Sequence, residues 1–357
     1  MNNSTIYCDK IEGMLTGVAL GDALGAPFEF RNSLPVTKYN GTLCYQNVMH
    51  SQFQGTRHMV IGQATDDTEM TLTLAHSLIT EGKYDKNKLI LSYETWANSG
   101  NIGMGTNTRA LFKGIKTIRG YNSRYSKAMA GTLKGMKYDN LTLVQSNGSL
   151  MRCTPLALIP DEDEFLNAVK DDVYLTNPNP INYECNLIYL TAIRKLLAID
   201  IDDNSKDTLE TIWNEVKDKI TESHLIEVIS NIENGIDIDV TISKGWVVHA
   251  FYCAMYCLYQ LVLNQDTEHD GNPKIKYQDL IDLIIRKGGD TDTNAAIAGG
   301  MVGSFWGIGK MKLEDRTASN LEVLKNADSS LGDFPREDMY RPTNLDDVSS
   351  KLYQVFN

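Results

Sequence analysis

Very little in this 357-residue chain would hold it to a polyanion, a membrane or an oxidising compartment. Basic residues are in deficit: 34 Lys and Arg against 46 Asp and Glu leave a net charge of −12 and a pI near 5.0. Nucleic acids and anionic lipids recruit proteins through Lys and Arg, so neither is an expected partner. The stretch Met1 to Lys10 has neither the basic start nor the apolar run of a secretory leader, and an intracellular, cytoplasmic location is expected. The six cysteines (Cys8, Cys44, Cys153, Cys185, Cys253, Cys257) contain no CxxC pair, which in a chain of this length predicts reduced thiols rather than a disulfide frame. His249, Cys253 and Cys257 share one helix face at four-residue spacing, but no fourth ligand lies nearby, so they read as core residues. The most apolar stretch, Trp246 to Leu263, is of borderline length, since a span needs about 20 apolar residues. It also stands alone, and a buried central helix is expected there rather than a membrane segment.

Repeats of solenoid length, low-complexity linkers and strand-like alternation are equally scarce. With 42% hydrophobic and 22% charged residues the chain can bury a sizeable core, so one compact all-α body is expected. Met70, Leu74 and Leu78, and again Leu187, Leu190, Ile193 and Leu197, recur at helical intervals. Ser33 to Gly62 is polar and aperiodic, which predicts a long loop, and loops of that length are usually functional. The main domain is expected over 10–310, with 311–357 a polar extension packed on it or peripheral to it. One stretch lacks acid altogether. Between Glu94 and Asp139 there is no Asp or Glu, while Arg109, Lys113, Lys116, Arg119, Arg124, Lys127, Lys134 and Lys137 all fall there. A solvated helix-and-loop face is the expected explanation, with a surface for an acidic partner as the alternative.

Against these absences, several short blocks stand out. Gly13, Gly17, Gly21 and Gly25 would line one helix face, and each costs about 1 kcal/mol relative to Ala. Close approach of another helix backbone would offset that cost. Glu29, just past Pro27, is then a carboxylate held on a loop. In Ala64-Thr65-Asp66-Asp67-Thr68-Glu69, the Asp66 and Glu69 pair resembles a capping box, yet one helix start does not need two adjacent carboxylates flanked by threonines. Gly288-Gly289-Asp290-Thr291-Asp292-Thr293-Asn294 repeats the chemistry near the other end of the core. Carboxylates and hydroxyls without His or Cys suit hard cations, so Mg²⁺ or Mn²⁺ is expected over Zn²⁺, and the acid count allows two ions. Two Gly-containing stretches, 101–109 and 146–152, offer backbone amides to phosphate oxygens. Neither is a Walker A loop nor a GxGxxG after a strand.

Taken together, GxxxGxALGDALGxxxE at 13–29, TDDT at 65–68, GxG at 103–105, SNGSLMR at 146–152 and GGDTDTNA at 288–295 resemble the ADP-ribosylglycohydrolase family. The resemblance implies a compact orthogonal multi-helix bundle around a dinuclear Mg²⁺ or Mn²⁺ centre. It implies that Thr65, Asp66, Asp67, Asp290, Asp292 and Thr293 hold the metals and that Glu29 orients or activates water, with Glu29 and Asp292 the catalytic carboxylates. Gly103, Gly105, Ser146, Asn147 and Gly148 would contact the ADP-ribose part of the substrate. Many relatives carry a Thr-His-Pro segment at the substrate, whereas this chain has Thr176-Asn177-Pro178, placing Asn177 at that position. The implied activity is hydrolysis of the bond between the distal ribose and an acceptor on a protein or related conjugate, with release of ADP-ribose. A monomer is expected. Two other readings of the same residues are a metal-dependent pyrophosphate or phosphoester hydrolase and an ADP-ribose-binding protein without catalysis.

Overall fold

The computed structural model describes residues 3–30, 39–43, 59–199, 206–264 and 275–357. Among these, fourteen α-helices account for almost all regular structure: α1 (Asn3–Gly25), α2 (Asp66–Glu81), α3 (Lys86–Asn98), α4 (Thr106–Phe112), α5 (Ile118–Met129), α6 (Glu162–Thr176), α7 (Pro180–Ala198), α8 (Lys206–Lys217), α9 (Ser223–Glu233), α10 (Val247–Leu263), α11 (Tyr277–Arg286), α12 (Thr291–Met311), α13 (Asp315–Asn326) and α14 (Leu345–Phe356). No sheet is present among the described residues; Ser146 and Trp246 form one isolated antiparallel bridge. The all-α expectation holds. Of the expected loop over Ser33 to Gly62, residues 39–43 and 59–62 are non-helical and the remainder, with Cys44, lies outside the described residues.

The centre of the molecule is the α1–α12 pair. A methyl group at Gly13 would sit 2.5 Å from the Gly303 carbonyl oxygen, and methyls at Gly17, Gly21 and Gly25 would overlap the backbone at Gly299, Ala295 and Thr291. The partner moves back four residues for each four-residue step along α1, so the helices run antiparallel in close backbone contact. Small residues on both faces permit this approach, and the added dispersion contact offsets the propensity cost of the glycines. At Gly307 the backbone turns left-handed (φ 67°), kinking α12, and Asp9 of α1 accepts from the Gly309 N–H at 2.9 Å. Glycine is required at that kink both for its φ and because any Cβ would overlap the Asp9 carboxylate.

Around this pair, α10, α7, α11, α2 and α14 complete the core. Met70, Leu74 and Leu78 are buried in α2, and Leu190, Ile193 and Leu197 in α7, as their spacing predicts, while Leu187 is half-buried against the same core. Helix α10 is the expected central helix: Cys253 and Cys257 are fully buried and His249 nearly so, among apolar neighbours, and burial pushes both thiols well above the usual range. No described helix is long and apolar enough to cross a membrane. The five described cysteines are unpaired. Residues beyond Lys310 are partly interior: Leu352 of α14 is fully buried against the α1–α2 side, and Arg336 lies beneath α2.

Candidate active site and metal centre

The antiparallel α1–α12 pairing delivers the C-terminal end of α1 and the N-terminal end of α12 to one place, and the N-terminus of α2 is tied to the same place by Asp22. Asp22 is completely buried. Its Oδ2 accepts from the Thr65 N–H (2.9 Å), the Thr68 N–H (3.1 Å) and the Thr68 hydroxyl (2.6 Å), and its Oδ1 accepts from the Thr65 hydroxyl (2.8 Å). Helix α2 therefore has its N-cap at Thr65 without a local side-chain cap, and a carboxylate from another helix satisfies the N–H that a cap would bond. This corrects the capping-box reading of Asp66 and Glu69. Glu69 points the other way, pairing with Arg336 at 2.6 and 2.7 Å and accepting from the Trp96 indole at 2.7 Å.

With α2 fixed in this way, Asp66 and Asp67 occupy its first turn while Asp290 caps α12 and Asp292 sits in its first turn. Two helix N-termini thus face one region, where their dipoles favour negative charge. Carboxylate oxygens of Glu29, Asp290 and Asp292 lie within 4.8 Å of one another. The Glu29 loop follows a 3-10 turn, Ala26–Phe28, and is pinned by Phe30, whose N–H donates to the Gly289 carbonyl (2.6 Å) and whose carbonyl accepts from Lys244 Nζ (2.6 Å).

These groups line a cleft of about 750 Å³. Of the residues singled out in the sequence, Glu29, Asp66, Gly103, Gly105, Ser146, Asn147, Gly148, Asn177, Asp290, Asp292 and Thr293 line it. Thr65 and Asp67 do not; both are 1% exposed and stand behind Asp66. Gly103 is left-handed (φ 85°), and a Cβ there would overlap Asp66 Oδ1, so this glycine seats a carboxylate as well as lining the cleft. Asn147 donates its amide to Asp290 Oδ2 at 2.7 Å. Asn177 turns its amide to the Ser146 carbonyl (3.0 Å) and hydroxyl (3.1 Å), and its carbonyl accepts from Thr176, so it braces the 146–148 turn. Opposite, Asn147 N–H donates to Gly245 and Val247 N–H to Gln145, which sets the Trp246 ring on the cleft wall.

The electrostatics bear on what kind of group these residues would fit. Burial, then the charges of Asp290, Asp66 and Asp22, push the Glu29 carboxyl up to about 9. Asp66, Asp67 and Asp292 are raised by the same two causes, burial first and neighbouring carboxylates second. Asp67 Oδ1 is buried with no hydrogen-bond partner. A crowd of raised carboxylates with an orphaned oxygen calls for cations, and an all-oxygen donor set fits hard divalent ions. Donation from Thr65 to Asp22 fits too, because it directs the hydroxyl hydrogen away and leaves oxygen lone pairs for a cation.

Sequence reasoning had singled out neither Asp22 as a site residue nor the cleft-wall residues Lys244 and Trp246. For Asp22 a signal existed, an acid in the middle of an otherwise apolar glycine face; for the wall residues the sequence carries none.

Comparison with known proteins bears on the family and the fold. Residues 3–341 match the profile of the ADP-ribosylglycohydrolase family. The chain is 25% identical over 340 residues to the ADP-ribosylarginine hydrolase Tri1 of Pseudomonas putida (strain GB-1), covering 92% of this chain and 80% of that one. It is 32% identical over 152 residues to the ADP-ribosyl-[dinitrogen reductase] glycohydrolase of Rhodospirillum rubrum, 42% of this chain and 44% of that protein. Among solved structures, an ADP-ribosylglycohydrolase-related protein complex superposes with a TM-score of 0.65 at 20% identity, covering 99% of this chain and all of that one, which supports the fold. The chain belongs to the ADP-ribosylglycohydrolase family.

Proposed function

We propose that this chain is a Mg²⁺- or Mn²⁺-dependent hydrolase that cleaves the bond between C1 of the distal ribose of ADP-ribose and an acceptor side chain or related conjugate. The observation that carries this reading is the convergence of Glu29, Asp290 and Asp292 within 4.8 Å at the bottom of a nucleotide-sized cleft. Thr65, Asp66, Asp67, Asp290, Asp292 and Thr293 would hold two ions. When bound, the ions would supply the positive charge that neutralises these carboxylates, polarises the ribose hydroxyls and acidifies the attacking water.

The chain's own residues do the rest. Water adds its oxygen to C1 as the C1–acceptor bond breaks; Glu29 or Asp292 takes the proton lost by water, and that proton passes on to the departing acceptor. Carboxylates near the anomeric carbon favour the oxocarbenium-like charge of such a transition state. Gly105 and Gly148 leave open space at their α-carbons, so the backbone there can approach the pyrophosphate and ribose closely. Asn147, bonded to Asp290, orients a ligand, while Asn177 holds the Ser146 turn.

Replacing Asp292 with Ala is expected to abolish ADP-ribose release and to weaken binding of Mg²⁺ or Mn²⁺ while the helical content stays unchanged. Undiminished turnover of that variant with EDTA present would refute the metal-dependent reading.

A further inference from the structure

The basic segment remains outside the site chemistry, and its placement gives it a role. It forms α4, α5 and the 130–138 connection, which make one shoulder of the cleft: Thr106, Asn107 and Thr108 at one end and Lys137 and Tyr138 at the other line the cleft itself. Three of its cations are committed to backbone carbonyls. Arg109 donates to Met104, Lys113 to Ala97, and Arg124 to Ala110 and Lys113. The other five, Lys116, Arg119, Lys127, Lys134 and Lys137, are exposed, and among the described residues none has a carboxylate within ion-pair distance.

Elsewhere many surface lysines are paired. Lys86, Lys88, Lys195, Lys217, Lys287 and Lys351 each face a carboxylate within ion-pair distance. Asp171 on α6, whose charge reaches Tyr121 of the shoulder, is itself taken by Lys86 at 2.8 Å. Exposed lysines without an ion-pair carboxylate also occur elsewhere, at Lys83, Lys170, Lys219, Lys276 and Lys325, but only the stretch 95–138, which supplies part of the cleft wall, gathers five such cations with no acidic residue among them. The shoulder also exposes apolar surface: Leu143 is 56% and Tyr138 37% exposed, and Lys137 lies over the Tyr138 ring at 5.5 Å.

We infer that this shoulder docks an acidic face of the modified acceptor protein, so that the substrates are ADP-ribosyl groups carried near clusters of Asp and Glu. The inference rests on the glycohydrolase reading above. Charge complementarity raises the encounter rate and selects partners, and mixed cationic, aromatic and aliphatic surface is typical of protein interfaces. Nucleic acid fits less well, because a polyanion extending past the shoulder would meet the acidic remainder of the surface.

The test uses two peptides bearing one ADP-ribosylated arginine, flanked either by Asp and Glu or by Asn and Gln, and the variant Arg119→Glu/Lys127→Glu/Lys134→Glu. None of these three positions lines the cleft. At about 50 mM salt the wild type is expected to favour the acid-flanked peptide in kcat/KM on the order of tenfold, with the preference falling as salt rises. The variant should lose the preference while cleaving the neutral-flanked peptide as the wild type does. Equal kcat/KM for both peptides in the wild type, or a preference unchanged in the variant, would overturn the inference. So would tighter binding of a fluorescent DNA duplex than of the acid-flanked peptide. Should neither peptide be cleaved, nor the same two peptides with the ADP-ribose on serine, the glycohydrolase reading fails by itself. Fluorescence anisotropy with the unmodified peptides then decides the docking: an acid preference lost in the variant supports it, and no preference overturns it.

Discussion

Asp22 is the buried residue beside the clustered carboxylates through which a substitution outside the cleft lining should reach the proposed metal site. In Asp22→Ala the N–H groups of Thr65 and Thr68 lose their acceptor in a fully buried setting. An orphaned buried donor costs about 1–3 kcal/mol, so the pair sets about 4 kcal/mol of destabilisation. Part is returned, because Asp22 is itself raised by burial and crowds Asp66 and Asp67, which leaves about 3 kcal/mol as the expected loss. Asp22→Asn behaves differently. With its carbonyl at the Oδ2 position it keeps three acceptances, and its amide meets the Thr65 hydroxyl, which can turn to accept. That variant is expected within about 1 kcal/mol of wild type. Urea denaturation measures both costs, and calorimetric titration with Mn²⁺ measures whether the Thr65–Asp67 turn still binds. Ala should weaken Mn²⁺ far more than Asn does. Equal stabilities for Asp22→Ala and wild type, or an Asn variant as damaged as the Ala variant, would refute the argument that four oriented bonds fix α2.

Three other expectations follow from the packing. A methyl group at Gly21 would lie 2.5 Å from the Ala295 carbonyl carbon where ordinary contact begins at 3.4 Å, so Gly21→Ala must push the central helices apart by roughly 1 Å. The overpacking cost should exceed the helix propensity gained, giving a net loss of about 2 kcal/mol in urea denaturation. Arg336→Ala leaves Glu69 buried without its bidentate partner and removes the bonds to Ser99; a loss of about 3 kcal/mol is expected, with Arg336→Leu/Glu69→Leu closer to wild type. Burial lowers His249, so the unfolded chain takes up a proton there at a higher pH than the folded protein does. Its contribution to stability is present above pH 6.5 and is lost as pH falls from there toward the folded value. His249→Gln should therefore show a smaller loss of Tm between pH 7.5 and 5.5 than the wild type, and an equal loss would refute it.

The sequence-to-structure relation differs from element to element. The glycine row in α1 was legible because four-residue spacing has few uses in a soluble helix, and α12 supplies the small residues it calls for. The Asp and Thr clusters were legible because like charges so close in sequence need a countercharge. What could not be read was pairing across the fold: Asp22 reaches Thr65 and Thr68, and Glu69 reaches Arg336, through tertiary contacts that leave no local pattern. The likeness of Asp66 and Glu69 to a capping box has this cause, since a sequence shows the acid three residues away and not the one on another helix. Of the TDDT block, Asp66 lines the cleft while Thr65 and Asp67 are almost fully buried against Asp22 and near Asp290, a placement that the motif alone does not show. The polar segment after Lys310 hid Arg336, an interior residue whose burial depends on Glu69, 267 positions earlier.

The central claim is that the clustered carboxylates serve cleavage at C1 of the distal ribose. Chromatographic identification of the products from arginine-linked and serine-linked ADP-ribosyl peptides, each with Mg²⁺, Mn²⁺ or EDTA, tests it most directly. Free ADP-ribose and intact, unmodified acceptor are expected from at least one linkage with a divalent metal, and no product with EDTA. AMP among the products, or ADP-ribose release that EDTA leaves unchanged, would contradict it.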